Sequence, residues 1–79
     1  MQIAIYSKDN CPYCDMAVRK AESLQDSNKA EFKVFKLGVD FTREQLFELF
    51  PTARTFPQII IDGQSIGGWN QFEEYCVGY

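Results

Sequence analysis

The sequence predicts an α/β domain in which three helices flank a four-stranded mixed sheet, in the order β-α-β-α-β-β-α. Short runs rich in Ile, Val and Phe stand at residues 2–6, 31–38 and 58–61, and they alternate with segments of helical apolar spacing. Strands that alternate with helices favour parallel pairing, and an Asp-Gly pair after the third run adds an antiparallel hairpin. No internal repeat, linker or low-complexity segment divides the chain, so we expect one domain over residues 1–79.

The first strand and the first helix are predicted to meet at a cysteine. QIAIY, residues 2–6, has the Ile and Tyr content of a buried strand, and a polar loop follows it. Pro12 suits the first position of a helix, because its missing N–H would have no partner there. Cys11 is therefore the predicted N-cap of a helix over roughly 12–27. The apolar stripe that would lie on the sheet consists of Ala17, Val18, Ala21 and Leu24.

The middle of the chain predicts a second strand and a short helix. EFKVFKLG, residues 31–38, has apolar side chains on both faces, as in a parallel strand that is covered on both sides. Thr42 and Gln45 have the spacing of a capping box. We therefore expect a helix over 43–50, which Pro51 ends.

The last third predicts a hairpin and a final helix. QIII at 58–61 and QSI at 64–66 are antiparallel strands, joined by an Asp-Gly turn at 62–63. Asn70 and Glu73 have a capping-box-like spacing at the start of the last helix. Its apolar face would consist of Phe72, Tyr75, Cys76 and Tyr79.

Composition and charge argue against several classes of function. A formal net charge of −3, with no run of five like charges, disfavours a nucleic-acid-binding surface. No stretch approaches the roughly 20 apolar residues that a membrane span needs. The N-terminus, MQIAIYSKDN, lacks the basic start and apolar core of a secretory signal. We therefore expect a cytoplasmic protein, in which a cysteine pair is more often catalytic or metal-binding than a lasting disulfide.

The three cysteines, Cys11, Cys14 and Cys76, and the lack of histidine bear on the choice between metal binding and redox chemistry. A closed zinc site takes four ligands, usually Cys or His, so a carboxylate or a second chain would have to complete it. A permanent bridge between Cys11 and Cys14 would close a very short loop and gain little. The spacing therefore favours redox chemistry, and Cys76 is interpreted as a buried structural cysteine.

The CPYC motif at residues 11–14 places two thiols on one turn of the predicted helix. Free N–H groups and the positive end of the helix dipole converge at Cys11, and Lys8 adds a full positive charge, so a thiolate is favoured there. Cys14 is three residues further on the same face. Cys11 is the predicted exposed nucleophile, and Cys14 is the thiol that resolves a mixed disulfide formed at Cys11. This arrangement is typical of a thioredoxin-like redox motif.

Three stretches resemble the glutaredoxin family: YSKDNCPYC at 6–14, RTFPQIII at 54–61 and IGGWNQF at 66–72. The chain is similar to the dithiol CPYC type, and to the compact glutaredoxins of bacteria and their viruses. The resemblance implies a thioredoxin fold and glutathione as co-substrate, with no metal. It also implies reduction of protein disulfides and glutathione mixed disulfides by Cys11 and Cys14, in a monomer whose partners include ribonucleotide reductase.

The resemblance further implies a glutathione-binding site. Lys8 corresponds to the lysine that faces the glycine carboxylate, and Tyr13 to the aromatic residue that flanks the tripeptide. The backbone of Phe56, before a cis-Pro57, would pair with the cysteinyl part as an added strand does. A double glycine at 67–68 would let the ligand approach closely. The implied set is Lys8, Tyr13, Arg54, Phe56, Pro57, Gly68, Trp69 and Asn70.

The sequence departs from the family pattern at two places. Asn70 and Gln71 stand where the family has an aspartate pair, so a charge-assisted contact to the γ-glutamyl amine would be lost. We therefore expect weaker glutathione binding. Phe56 stands where valine is commoner, and its side chain is expected to contribute little, because the backbone makes the contact.

Two alternative functions stay open. One is an electron carrier of the same fold that a flavoprotein reductase reduces, although the WCGPC-type motif is absent. The other is an iron–sulfur or metal-binding module with Cys11 as a ligand. Pro12 within a CPYC motif generally accompanies catalysis rather than cluster binding.

Overall fold

The seven predicted elements are present, in the predicted order, in the computed structural model, which describes residues 1–53 and 55–77. The mixed four-stranded sheet and the three helices are therefore confirmed. Within these ranges no helix has the length and apolar character needed to cross a membrane. The strands are β1 Gln2–Ser7, β2 Glu31–Lys36, β3 Gln58–Ile61 and β4 Gln64–Gly67, and the helices are α1 Pro12–Asp26, α2 Arg43–Leu49 and α3 Trp69–Tyr75.

The sheet has the strand order β2-β1-β3-β4. β1 is parallel to β2, since α1 connects them across one face, and it is antiparallel to β3. The β3–β4 hairpin turns at Asp62 and Gly63, whose φ angles of 50° and 82° are both positive. Two positive φ angles are what the tight hairpin turn requires, so the predicted turn is confirmed.

Alternate residues along the strands point to opposite faces of the sheet, and each face packs into a separate hydrophobic core. Ile3, Ile5, Ile59 and Ile61 point to the face that α1 and α3 cover, where Phe72 is the largest buried side chain. The opposite face carries a mainly aromatic cluster under α2. That second cluster contains Phe41, Leu46 and Phe50, with Tyr6, Phe35, Phe56 and Ile60 packed against it.

The N-terminus of α2 has the predicted capping box. The Gln45 N–H donates to Thr42 Oγ1 at 3.2 Å, and the Thr42 N–H donates to Gln45 Oε1 at 2.9 Å. Two N–H groups that the helix cannot satisfy are thereby paired. α2 starts at Arg43 as expected and ends at Leu49, one residue before the predicted end.

The start of α3 differs from the prediction. Gly68 is the N-cap and Asn70 is already the second residue of the helix, so the predicted Asn70–Glu73 cap is wrong. Gln71 takes the capping role instead, because its Oε1 accepts the Gly68 N–H at 3.0 Å.

The apolar face of α3 is also narrower than predicted. Phe72 and Cys76 are buried, but Tyr75 is 40% exposed. A stripe centred on Phe72 and Cys76 leaves Tyr75 about 80° to one side, at about 100° per residue. Tyr79, the fourth predicted member of this face, lies outside the described residues.

Both faces of β2 are covered only in part, so the prediction of a strand that is covered on both sides is wrong in part. Phe32 packs against the first core and Phe35 against the second, which accounts for the apolar residues on both faces. Val34 is nevertheless 39% exposed, because β2 has a neighbouring strand on one side only.

Candidate active site

Cys11 is the N-cap of α1, as predicted. Its backbone is extended, with φ −126° and ψ 96°, and Pro12 follows at the first helical position. The Cys14 N–H donates to Cys11 Sγ at 3.2 Å. The sulfur therefore occupies the position of a capping acceptor, where unpaired N–H groups and the helix dipole stabilise negative charge.

Cys11 and Cys14 form a disulfide, with their Cα atoms 5.2 Å apart. Cys11 is 7% exposed and Cys14 is 2% exposed. The prediction of an exposed nucleophile is therefore wrong for this oxidised form, because the Cys11 sulfur is turned into the first turn of α1. Of the two cysteines, Cys11 is still the more accessible, as a nucleophile in front of a resolving thiol should be.

The segment before β3 has the conformation that the family resemblance implied. The Phe56–Pro57 peptide bond is cis, and Pro57 is buried. Gln58, which is also buried, donates from Nε2 to the Thr55 carbonyl at 2.7 Å and so closes this loop over the start of the strand. No hydrogen bond joins the main-chain N–H or C=O of Phe56 to another described residue. Its peptide groups are therefore available to a ligand.

The double glycine brings the start of α3 against this loop. Gly67 has φ +110°, a conformation that side chains rarely adopt, and a Cβ there would lie 3.1 Å from Gln71 Cγ. A Cβ on Gly68 would lie 3.3 Å from the Pro57 carbonyl oxygen. Both positions therefore favour glycine, one for its φ angle and the other for its close approach to backbone.

A cleft of about 300 Å³ lies between the CPYC helix, the cis-proline loop and the start of α3. Five of the predicted site residues line it, and Thr55 and Gln71 line it without having been predicted. Gln71 could have been found from its spacing to Gly68, and Thr55 from its place in the family-like stretch at 54–61. The lining residues are Tyr13, Thr55, Phe56, Gly68, Trp69, Asn70 and Gln71.

The three remaining predicted site residues are Lys8, Arg54 and Pro57, and the two that the structure describes do not line the cleft. Pro57 is buried and is not among its lining residues. Lys8 does not line it either, but its ammonium lies over the ring of Phe56, with Nζ 5.7 Å from the ring centroid. Arg54, another predicted contact, lies outside the described residues.

Of the two charged residues Lys8 and Asp9 in the loop before the CPYC motif, Asp9 has an ion-pair partner. Lys36 Nζ lies 2.6 Å from Asp9 Oδ1, and the hydrogen bond and the charge of Asp9 raise the pKa of Lys36. Asp9 is therefore neutralised by a lysine of β2. Within residues 1–53 and 55–77, Lys8 has no ion pair. Its charge is therefore available to an anionic ligand.

Cys76 stands apart from this site. It is a free cysteine, buried among the residues between α1 and α3, as predicted. Burial raises the pKa of the Cys76 thiol, and the charge of Lys20 opposes that shift. A buried thiol held in its neutral form packs as a small apolar side chain. In the described part of the chain, no three or more Cys, His, Asp or Glu residues are grouped as metal ligands.

Comparison with known proteins agrees with this geometry. The sequence model of the glutaredoxin family matches residues 3–66. The chain is 35% identical to a glutaredoxin of Vibrio cholerae over 81 aligned positions, which cover 96% of this chain and 91% of that protein. It is also 35% identical to glutaredoxin 3 of Escherichia coli over 68 positions, which cover 84% and 75% of the two chains.

Solved structures agree on the fold. The structure of reduced Escherichia coli glutaredoxin superposes with a TM-score of 0.80 and 31% identity, over 95% of this chain and 92% of that one. The oxidised Escherichia coli glutaredoxin gives a TM-score of 0.80 at 26% identity, over 99% and 95% of the two chains. The fold is therefore the thioredoxin fold, and the Cys11–Cys14 pair is the redox centre of a thiol–disulfide oxidoreductase. By its matched length and its relatives, the chain belongs to the glutaredoxin family.

Proposed function

We propose that this protein uses glutathione to reduce protein disulfides and glutathione mixed disulfides. The observation that carries the proposal is the unpaired main chain of Phe56, which lines the cleft beside the cis-proline and the CPYC helix. An extended peptide can add to such a backbone strip by main-chain hydrogen bonds. Its cysteinyl sulfur would then lie near the start of α1, where Cys11 is.

The reaction follows from the order of access to the two sulfurs. The Cys11 thiolate attacks a substrate disulfide, forms a mixed disulfide and releases the first substrate thiolate. The Cys14 thiolate then attacks Cys11 Sγ, which releases the second substrate thiolate and forms the Cys11–Cys14 disulfide. One glutathione thiolate opens that bond at Cys11 and frees Cys14. A second glutathione attacks the sulfur of the bound glutathione, so that oxidised glutathione leaves and both cysteines are reduced.

The other residues around the cleft would hold the tripeptide. The Lys8 ammonium would face a carboxylate, and Tyr13 would flank the ligand from the CPYC side. Gly68 would let the ligand approach the start of α3, where Trp69 and Asn70 line the cleft. Arg54 is proposed as a further basic contact. From the family resemblance we also propose a monomeric enzyme in the reducing cytoplasm, with ribonucleotide reductase among its protein substrates.

Glutathione-coupled turnover tests this proposal directly. With glutathione, glutathione reductase and NADPH, the protein should reduce a small glutathione mixed disulfide, and turnover should saturate with glutathione. Thioredoxin reductase with NADPH should support little turnover. The alternative, an electron carrier reduced by a flavoprotein reductase, predicts turnover with that reductase and little with glutathione. Turnover with thioredoxin reductase alone would overturn the glutathione proposal while leaving the thiol–disulfide chemistry in place.

Replacing Asn70 by aspartate should strengthen glutathione binding. Asn70 lines the cleft at the second position of α3, and a carboxylate there could pair with the γ-glutamyl amine. A hydrogen bond to a charged group is stronger than a neutral one by about 1 kcal/mol, so the KM for glutathione should fall about fivefold.

The matched control is Gln64→Asp, which adds the same charge at the far end of β4 and outside the cleft lining. Its KM for glutathione should equal that of the unaltered protein. An Asn70→Asp protein whose KM is unchanged or higher would show that the missing carboxylate does not limit binding.

A further inference from the structure

We infer that the Phe56 side chain positions the Lys8 ammonium at the edge of the cleft, and that this gives the site a preference for anionic over neutral disulfides. Phe56 is thus a positioning residue that acts through Lys8. The inference rests on the proposed role of the cleft as the place where the small thiol or disulfide binds. It adds a role for a side chain that the sequence alone predicted to contribute little.

The contact between the two side chains has the geometry of a cation–π interaction. Lys8 Nζ lies 5.7 Å from the centroid of the Phe56 ring, within the roughly 6 Å over which such contacts are attractive. Phe56 is also one of the residues that line the cleft. An ammonium held over this ring is therefore held at the border of the cleft, whereas an exposed lysine without such a contact samples many rotamers.

The ring, rather than the lysine, is the fixed partner. Phe56 is half-buried and stacks on Phe41, with the ring centroids 6.4 Å apart and the planes inclined by 28°. Phe41 is itself buried and meets Tyr6 edge to face at 5.2 Å. Phe56 is thereby attached to the second core, while Lys8 stands in an exposed loop. The orientation of the ammonium therefore depends on the ring.

The surrounding charges leave Lys8 free to act on a ligand. Asp9, its neighbour in the loop, is paired with Lys36 at 2.6 Å. The seven described residues that line the cleft are all uncharged. Lys8 is thus a positive charge in contact with a lining residue of a cleft whose own lining, in the described part of the chain, is neutral. Its position should set how strongly the site distinguishes an anionic ligand from a neutral one.

Single-turnover kinetics with two disulfides test the inference. The reduced protein is mixed with dianionic dithiobis(nitrobenzoate) or with neutral hydroxyethyl disulfide. In each case the Cys11 thiolate displaces one thiolate, and Cys14 then displaces the other and leaves the oxidised protein. The measured quantity is the ratio of the two rate constants. A smaller active fraction lowers the amplitude of both reactions and leaves the two rate constants, and hence their ratio, unchanged.

Four variants separate the ring, the charge and their coupling. Phe56→Leu keeps an apolar side chain without the ring and should lower the anionic-to-neutral ratio about two- to fivefold, as an exposed cation–π contact predicts. Lys8→Gln should lower the ratio at least as far. Phe56→Tyr keeps the ring and should keep the ratio. The Phe56→Leu/Lys8→Gln double variant should have the ratio of Lys8→Gln alone, since the ring acts only through the lysine.

Three results would overturn the inference. They are an unchanged ratio in Phe56→Leu, a Phe56→Tyr ratio as low as that of Phe56→Leu, and a double variant in which the two single losses multiply. No glutathione is present in this assay, so its outcome does not depend on which reductant the protein uses. If the glutathione-coupled assay fails while the ratios here are as expected, glutathione is not the reductant, and the role of Phe56 still holds.

Discussion

Replacing Cys11 by serine should abolish disulfide reduction, whereas replacing Cys14 by serine should separate two reactions. Every proposed step begins or ends at Cys11 Sγ, and a serine hydroxyl at the N-cap of α1 is a far poorer nucleophile than a thiolate. We expect activity to fall by orders of magnitude. Without Cys14, a protein bound to Cys11 cannot be released internally. A glutathione mixed disulfide at Cys11 can still be resolved by a second glutathione.

The measurement compares two substrates for each variant. Cys14→Ser should retain reduction of a small glutathione mixed disulfide and lose most of the reduction of a protein disulfide. Cys76→Ala is the matched control, since it removes the free, buried cysteine outside the site, and both activities should persist. If Cys14→Ser lost both reactions while Cys11→Ser kept one, the assigned order of attack would be reversed.

The parts of the fold that follow from the sequence are those in which neighbouring residues decide the structure. Pro12 after Cys11 predicts the start of α1, because a proline fits the first helical position and a cap must precede it. Asp62 and Gly63 predict the hairpin, because both adopt the positive φ angles of its turn. Thr42 predicts the start of α2, because Gln45 stands three residues later and the two form a capping box.

The start of α3 shows why local patterns fail where distant segments meet. Asn70 and Glu73 have a plausible capping spacing, but Gly68 caps the helix. A glycine there fits the close approach to the Pro57 carbonyl, which belongs to a loop about ten residues away in the chain. Tertiary contact with that loop, rather than local spacing, accounts for where the helix begins.

In the candidate site, too, local stretches of sequence predict some residues, whereas contacts between distant segments are not predictable. The CPYC motif and the family resemblance name the cysteines, Tyr13 and the cis-proline, because these positions lie in short recognisable stretches. The contact of Lys8 with Phe56 joins segments that are far apart in sequence, and no periodicity marks it. The limited exposure of Cys11 was missed for another reason, since a sequence does not specify whether the disulfide has formed.

Replacing Phe72 by alanine should cost about 3–5 kcal/mol of unfolding free energy, the range for a buried phenylalanine. Phe72 is 0% exposed and packs in the first core with residues of α1 and β3. It also meets Trp69 edge to face, with the ring centroids 6.2 Å apart. A domain of 79 residues has a total stability of only about 4–12 kcal/mol, so this loss is a large share of it.

Urea unfolding of the two proteins measures this cost, with Phe47→Ala as the matched control. Phe47 is 48% exposed on α2, so the same truncation there should change stability by less than about 1 kcal/mol. Phe72 also anchors α3, whose first turn carries Trp69, Asn70 and Gln71 into the cleft. The folded fraction of Phe72→Ala should therefore have a higher KM for glutathione, whereas that of Phe47→Ala should not. A loss in Phe72→Ala as small as the one expected for Phe47→Ala would show that Phe72 does not hold α3 in place, and would remove the physical basis for a preformed cleft wall.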